Sequence, residues 1–358
     1  MFRYGFRVVA LVVVVFVGYS NFPLTASNST SDTPRQSVGA NPKYAALAAE
    51  VGAQSASCMV VQEGKTIVGE WYWADRTPQT LSEGFSTMKS VTATLIGIAQ
   101  TQKKLNINQK ASDFIKEWKG TASESITIRQ LLSMTSGRRE VLNGNPFADN
   151  ELIAINIGQE TTPGTNWRYT NTTLQVLETV LERAVGGSVK SFAKKNLLTP
   201  LGMKSKFSDD GGSNMFMFAF WDTSCRDLAK LVQLYLQNGK WNNKQILSAE
   251  FVNDARTSSS ALNQNYGLLW WLNRAGTTKS TSANAQTKIG PRYQSAPLDM
   301  FEAIGACGQS AMGFPTQNLI ITFMRTKSLF DALTCGNDSQ TSALNKMGSR
   351  VFELVKSS

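Results

Sequence analysis

Strand-like segments lie at the two ends of this chain and helical ones between them, an order that limits the fold more than any single motif. Residues 58–62 and 66–73 are β-type runs separated by Glu63-Gly64-Lys65, a hairpin signal. Met88, Val91, Leu95 and Ile98 then recur at three and four residues, the period of a helix burying one face. Helical patterns continue at 128–134, 174–185 and 225–236; strand character returns at 266–273 and 318–326; an amphipathic helix over 342–356 closes the chain. The expected fold is α+β. An antiparallel sheet of N- and C-terminal strands is flanked by the first and last helices, and the middle forms an all-α insertion lobe. The α/β lobe takes residues 43–105 and 260–358, the helical lobe 106–259, and a cleft between them is the natural place for a site.

Residues 1–26 read as a signal peptide. Arg3 and Arg7 precede an unbroken apolar run over 8–17, shorter than the ~20 residues that span a bilayer. Small residues suited to cleavage follow, and an uncleaved anchor is the alternative. Residues 27–42 continue a stretch rich in Ser, Thr, Asn and Pro and read as a flexible linker. The expected location is therefore the bacterial periplasm or the exterior, or the inner membrane if the leader stays. In an oxidising compartment Cys58, Cys225, Cys307 and Cys335 are compatible with disulfides in three connectivities. Cys307 with Cys335 closes the shortest loop; a free buried thiol is the competing reading. The net charge is +10, yet no basic run exceeds two residues and none is interleaved with aromatics, which argues against a nucleic-acid partner. Membrane contact is expected only through an uncleaved leader.

The composition contains no histidine. A Ser-His-Asp triad and a His-bound metal are both impossible, so chemistry must run on hydroxyls, amines, carboxylates and backbone amides. Neither a metal nor a cofactor is expected. Ser86-Thr87-Met88-Lys89 begins the first long helix, and residues three apart share a helical face. A lysine kept neutral by burial and by the positive end of a helix can serve a serine nucleophile as base. The competing reading, Ser86 as an ordinary N-cap, wants Glu or Gln where Lys89 stands. Ser191-Phe192-Ala193-Lys194 matches the same pattern among other lysines and reads as an exposed helix face. Tyr169-Thr170-Asn171 follows a Pro-Gly loop: Tyr169 can relay a proton and Asn171 can orient the lysine and the substrate. Gly305-Ala306-Cys307-Gly308-Gln309 offers either a plain β-turn or backbone N–H groups that approach a ligand.

Together these segments resemble the serine hydrolases related to class C β-lactamases, a group that includes esterases and 6-aminohexanoate-dimer hydrolases. The likeness runs from about residue 58 to 325, through FSTMKSVTATLIGIAQ, ITIRQLLSMTSG, PGTNWRYTNTTLQVLETVLERAVGG, TPLGM and YGLLWW in the family's order. It implies a β-lactamase/transpeptidase-like fold, Ser86 as acylated nucleophile, Lys89 as base, Tyr169 as proton relay and Asn171 as a positioning residue. The family's third motif falls on Ala306, Cys307 and Gly308 as substrate-binding residues. The N–H groups of Ser86 and Gln309 would form the oxyanion hole. Ala306 and Cys307 offer no charge or hydroxyl to hold a substrate carboxylate, which favours a small ester or linear amide substrate; Arg168, the one cation in the stretch 160–168, is the candidate for a different grip. The alternatives are a β-lactamase or D-amino-acid peptidase acting on peptidoglycan-type substrates, and a binding protein that kept the fold without the chemistry.

Overall fold

The hairpin signalled at Glu63-Gly64-Lys65 forms as read. In a computed structural model that describes residues 36–141, 145–281, 286–325 and 351–355, strands β2 (Ala56–Glu63) and β3 (Thr66–Tyr72) pair antiparallel with Glu63 opposite Thr66. Gly64 takes the left-handed turn position at φ +58°. Numbering the strands of this sheet in chain order, β1 is Gln36–Val38, β4 Trp271–Leu272, β5 Phe301–Gly305, β6 Gln309–Phe314 and β7 Leu319–Arg325. Across the sheet they run β1-β3-β2-β7-β6-β5-β4, every neighbouring pair antiparallel. The pairing of β2 with β7 joins the two ends of the chain, as their order requires. Strand β1 begins inside the stretch read as linker; the leader read at 1–26 lies outside the described residues. No helix among the described residues is long and apolar enough to cross a membrane.

Both faces of the sheet are covered, and the alternation of side chains shows how. Met59 and Val61 of β2, with Ile321 and Phe323 of β7, pack into one apolar cluster with helix α1 (Ala45–Gly52) and with Val351, Phe352 and Val355, which are helical. Cys58, Val60, Ile320 and Met324 point the other way, into a larger cluster with helices α2 (Met88–Thr101), α3 (Thr172–Val185) and α4 (Cys225–Leu236). The period of α2 predicts one buried face, yet residues 88–99 are buried all round. Its hydroxyls are satisfied: Ser90 donates to the Leu269 carbonyl at 2.8 Å and Thr92 to Met217 at 2.6 Å.

One expectation needs correction. Residues 225–236, assigned from sequence to the helical lobe, pack as α4 on strands β2, β6 and β7 instead. A Cys58–Cys225 disulfide fixes α4 there, together with an Arg226–Glu70 pair at 2.6 and 2.7 Å. Cys307 is also disulfide-bonded, while Cys335 lies outside the described residues. Strands β5 and β6, in turn, leave little trace in the sequence. FEAIG and QSAMGF are rich in small residues, and both are buried on both faces, so no alternation marks them.

Candidate active site

The segment ahead of α2 is pinned before it can present any side chain. Glu83 Oε1 accepts the backbone N–H groups of Phe85 at 2.7 Å, Phe220 at 3.1 Å and Trp221 at 3.4 Å. Gly84 donates its N–H to the Trp221 carbonyl at 2.8 Å, and a Cβ at this glycine would collide with the Trp221 indole. Trp221 Nε1 donates to Thr87 Oγ1 at 3.0 Å, and Thr87 Oγ1 donates to the Gly84 carbonyl at 2.7 Å. The 3₁₀ turn Phe85–Thr87 so held places Phe85 at φ +48°, a left-handed conformation that a bulky residue rarely adopts. Backbone strain of this kind collects where a side chain must be aimed. Ser86 sits at the middle of the turn, and no side chain caps the helix start, so the N-cap reading fails.

Lys89, one turn on, is 2% exposed. Its Nζ lies 2.9 Å from Ser86 Oγ, 2.7 Å from Asn171 Oδ1 and 3.1 Å from the Phe218 carbonyl oxygen. Burial pushes its pKa down to about 7, against an opposing pull from the Glu140 carboxylate. The partner set explains what the neutral amine can do. A neutral amine has two hydrogens and one lone pair; Asn171 and Phe218 are acceptors for the two hydrogens, and the lone pair is left facing Ser86. The serine's second partner is the Tyr169 hydroxyl. Burial drives that phenol up to about 12, so it is a protonated donor at neutral pH rather than a tyrosinate. Its ring lies 4.7 Å from Lys89 Nζ.

Two carboxylates and one cation complete the surroundings, and sequence reasoning finds none of them. Glu83 is the clamp already described, and burial raises its pKa to about 7. Glu140 Oε1 accepts the N–H groups of Asn171 at 3.0 Å and Thr172 at 3.2 Å, capping α3 and fixing Asn171. Arg292 stacks 4.3 Å over the Trp271 ring, which itself stacks on Tyr169 at 5.7 Å, and its positive charge favours the ionised form of Tyr169. No spacing rule links residues so far apart in the chain.

Ala306–Gly308 forms the turn between β5 and β6, with Cys307 at φ +62° and Gly308 at φ +89°. Gln309 has no exposed surface; its side chain donates to the Arg325 carbonyl at 3.2 Å and accepts the Arg325 N–H at 2.9 Å. Cys307 is buried and Gly308 abuts the Arg325 side chain. The strand approaches the Ser86 turn one step earlier, at Gly305, where a Cβ would collide with the Gly84 carbonyl. Ala306, next in line, is half-buried. Arg168 is committed to Glu160, at 2.8 and 3.1 Å, and to the Arg138 carbonyl at 2.6 Å. The second Ser-x-x-Lys match leaves Ser191 and Lys194 exposed.

An antiparallel sheet closed by strands from both ends of the chain, with a half-buried serine bonded to a buried lysine at the head of the helix beneath it, is a β-lactamase/transpeptidase-like fold. The chain belongs to the beta-lactamase family, whose model matches residues 41–336. Protein flp of Staphylococcus aureus (strain MW2) is 26% identical over 167 residues, covering 42% of this chain and 34% of that one. A beta-lactamase of Providencia stuartii is 29% identical over 133 residues, covering 36% and 34%. The matches thus span about a third of the length of these curated relatives. A structure from Bacteroides dorei DSM 17855, provisionally described as a beta-lactamase, superposes with a TM-score of 0.70 at 19% identity, covering 88% of this chain and 98% of that one. That likeness establishes the shared fold.

Proposed function

We propose that the protein is an exported serine hydrolase that cleaves a small ester or linear amide through an acyl-serine intermediate. The observation that carries this reading is the Lys89 amine, 2.9 Å from Ser86 Oγ with acceptors in place for its other hydrogens. Ser86 Oγ attacks the substrate carbonyl carbon and its proton passes to neutral Lys89. The tetrahedral oxyanion is held by the N–H group of Ser86 and by one from the β5–β6 turn, for which Gln309 is the candidate from sequence. The leaving group departs with a proton returned through Tyr169. Water then attacks the acyl-serine by the same proton route, releasing the acid and restoring Ser86. The Cys58–Cys225 disulfide supports an oxidising compartment.

A second reading has its own support. Arg292 puts a cation in the site wall that the third motif lacks, and its Nε is buried without a hydrogen-bond partner. A substrate carboxylate, as carried by β-lactams and by D-amino-acid peptides, would suit it. Turnover of a chromogenic cephalosporin against a p-nitrophenyl ester ranks the two, with the ester expected to win. Marked preference for the cephalosporin, reduced in Arg292→Ala, would reverse the order. Failure of esters, cephalosporins and boronates alike to modify Ser86, read by intact mass, would instead leave a binding protein on this fold.

A further inference from the structure

Between Glu182 and Asp209 the chain has no acidic residue but carries lysines at 190, 194, 195, 204 and 206. The helix Val189–Ala193, capped by the Ser188 hydroxyl, runs on into a π-helical turn, Lys194–Leu198, closed by the Thr199 N–H on the Lys194 carbonyl. Such turns are rare and collect at functional sites. Lys190, Lys194 and Leu198, four residues apart, line a cavity of about 490 Å³ together with Met203, Lys204 and Phe207.

The cavity is apolar below and cationic at its rim. Leu198 and Met203 are 9% and 6% exposed. Phe207 is half-buried and stacks 6.2 Å from the wholly buried Trp221, which makes a firm floor. Lys190 is neutralised by Asp209 at 2.6 Å. Lys194 and Lys204 are exposed and have no acidic partner among the described residues. The volume falls in the usual range for a small-molecule site, roughly 300–1,000 Å³. Its lining is unlike a phosphate cradle: it holds no guanidinium fork, and beside the paired Lys190 and the Thr199 and Ser205 hydroxyls it offers two unpaired ammonium groups and an apolar floor.

We propose that this groove binds a long-chain carboxylate, with the chain on Leu198, Met203 and Phe207 and the head group between Lys194 and Lys204. A neutral lipid would leave both ammonium groups unserved, and a small anion would leave the floor wet. The groove shares no residue with the Ser86–Lys89–Tyr169–Asn171 set, so this inference stands apart from the proposed reaction.

Isothermal titration of the full chain with dodecanoate, below its micelle concentration, tests it against dodecanol and acetate. Dodecanoate is expected to bind one to one, weakening as salt rises, with dodecanol at least about tenfold weaker. The double variants Lys194→Glu/Lys204→Glu and Lys194→Gln/Lys204→Gln should each lose at least about tenfold in affinity, and Ser86→Ala should lose nothing. Equal binding of dodecanol, competition by acetate at matched concentration, undiminished affinity in both double variants, or loss of binding in Ser86→Ala would each overturn the proposal.

Discussion

The chain contains the tetrapeptide pattern Ser-x-x-Lys twice on helical backbone, and the two copies have opposite fates. At Ser86–Lys89 the amine is 2% exposed, bonded to the serine and two further acceptors, and shifted down to about 7. At Ser191–Lys194 both residues face water, and Ser191 Oγ touches neither a carbonyl nor the lysine among the described contacts. Spacing is therefore common to both. What differs is desolvation of the amine and the supply of acceptors that fix where its lone pair points.

The comparison breaks most cleanly at the serines themselves. Ser86→Ala should abolish labelling by a fluorophosphonate and lower ester kcat/KM by about 10⁴-fold or more, while Ser191→Ala matches the parent in both. If the two variants behave alike, burial is not what separates the copies. Next in size is Asn171→Leu, which removes one acceptor from the Lys89 amine and lets it turn from Ser86. A drop of roughly 10²-fold in kcat with an unchanged melting temperature would show that orientation matters beyond burial. A purely structural role would move the melting temperature as well.

Glu83→Ala tests the clamp under the turn. It orphans three backbone N–H groups, and about 1–3 kcal/mol of stability should be lost, read by urea denaturation, along with activity. Glu83→Gln keeps an acceptor and should recover most of both. The smallest effect is on pH. Lys89 must be neutral to accept the proton, so kcat/KM should fall as pH drops below about 7, following its lowered pKa. Glu140 holds the charged form of that amine in place, so Glu140→Gln should move the acid limb to lower pH. A shift to higher pH would mean the charge that matters lies elsewhere.

How far the sequence could be read follows from the same contrast between local and distant contacts. The β2–β3 hairpin, the long helices, Ser86, Lys89, Tyr169 and Asn171 are legible because turn chemistry, period or a short motif marks each of them. Phe218, whose carbonyl takes one lysine hydrogen, acts through backbone and has no signature. Glu83 and Glu140 look like any surface carboxylate until the fold brings amides to them. Which amide near the β5–β6 turn joins that of Ser86 is not legible, because this hairpin, buried on both faces and built from small residues, shows no alternation to fix which amides turn inward.

The bond between Cys58 and Cys225 closes a covalent ring across a separation of 167 positions, and Ser86, Lys89, Tyr169, Asn171 and Phe218 all fall inside it. A protease that nicks a loop within that ring leaves two polypeptides that cannot drift apart while the sulfurs stay joined. A single cut between residues 106 and 224 therefore should not release a fragment unless a reductant is added.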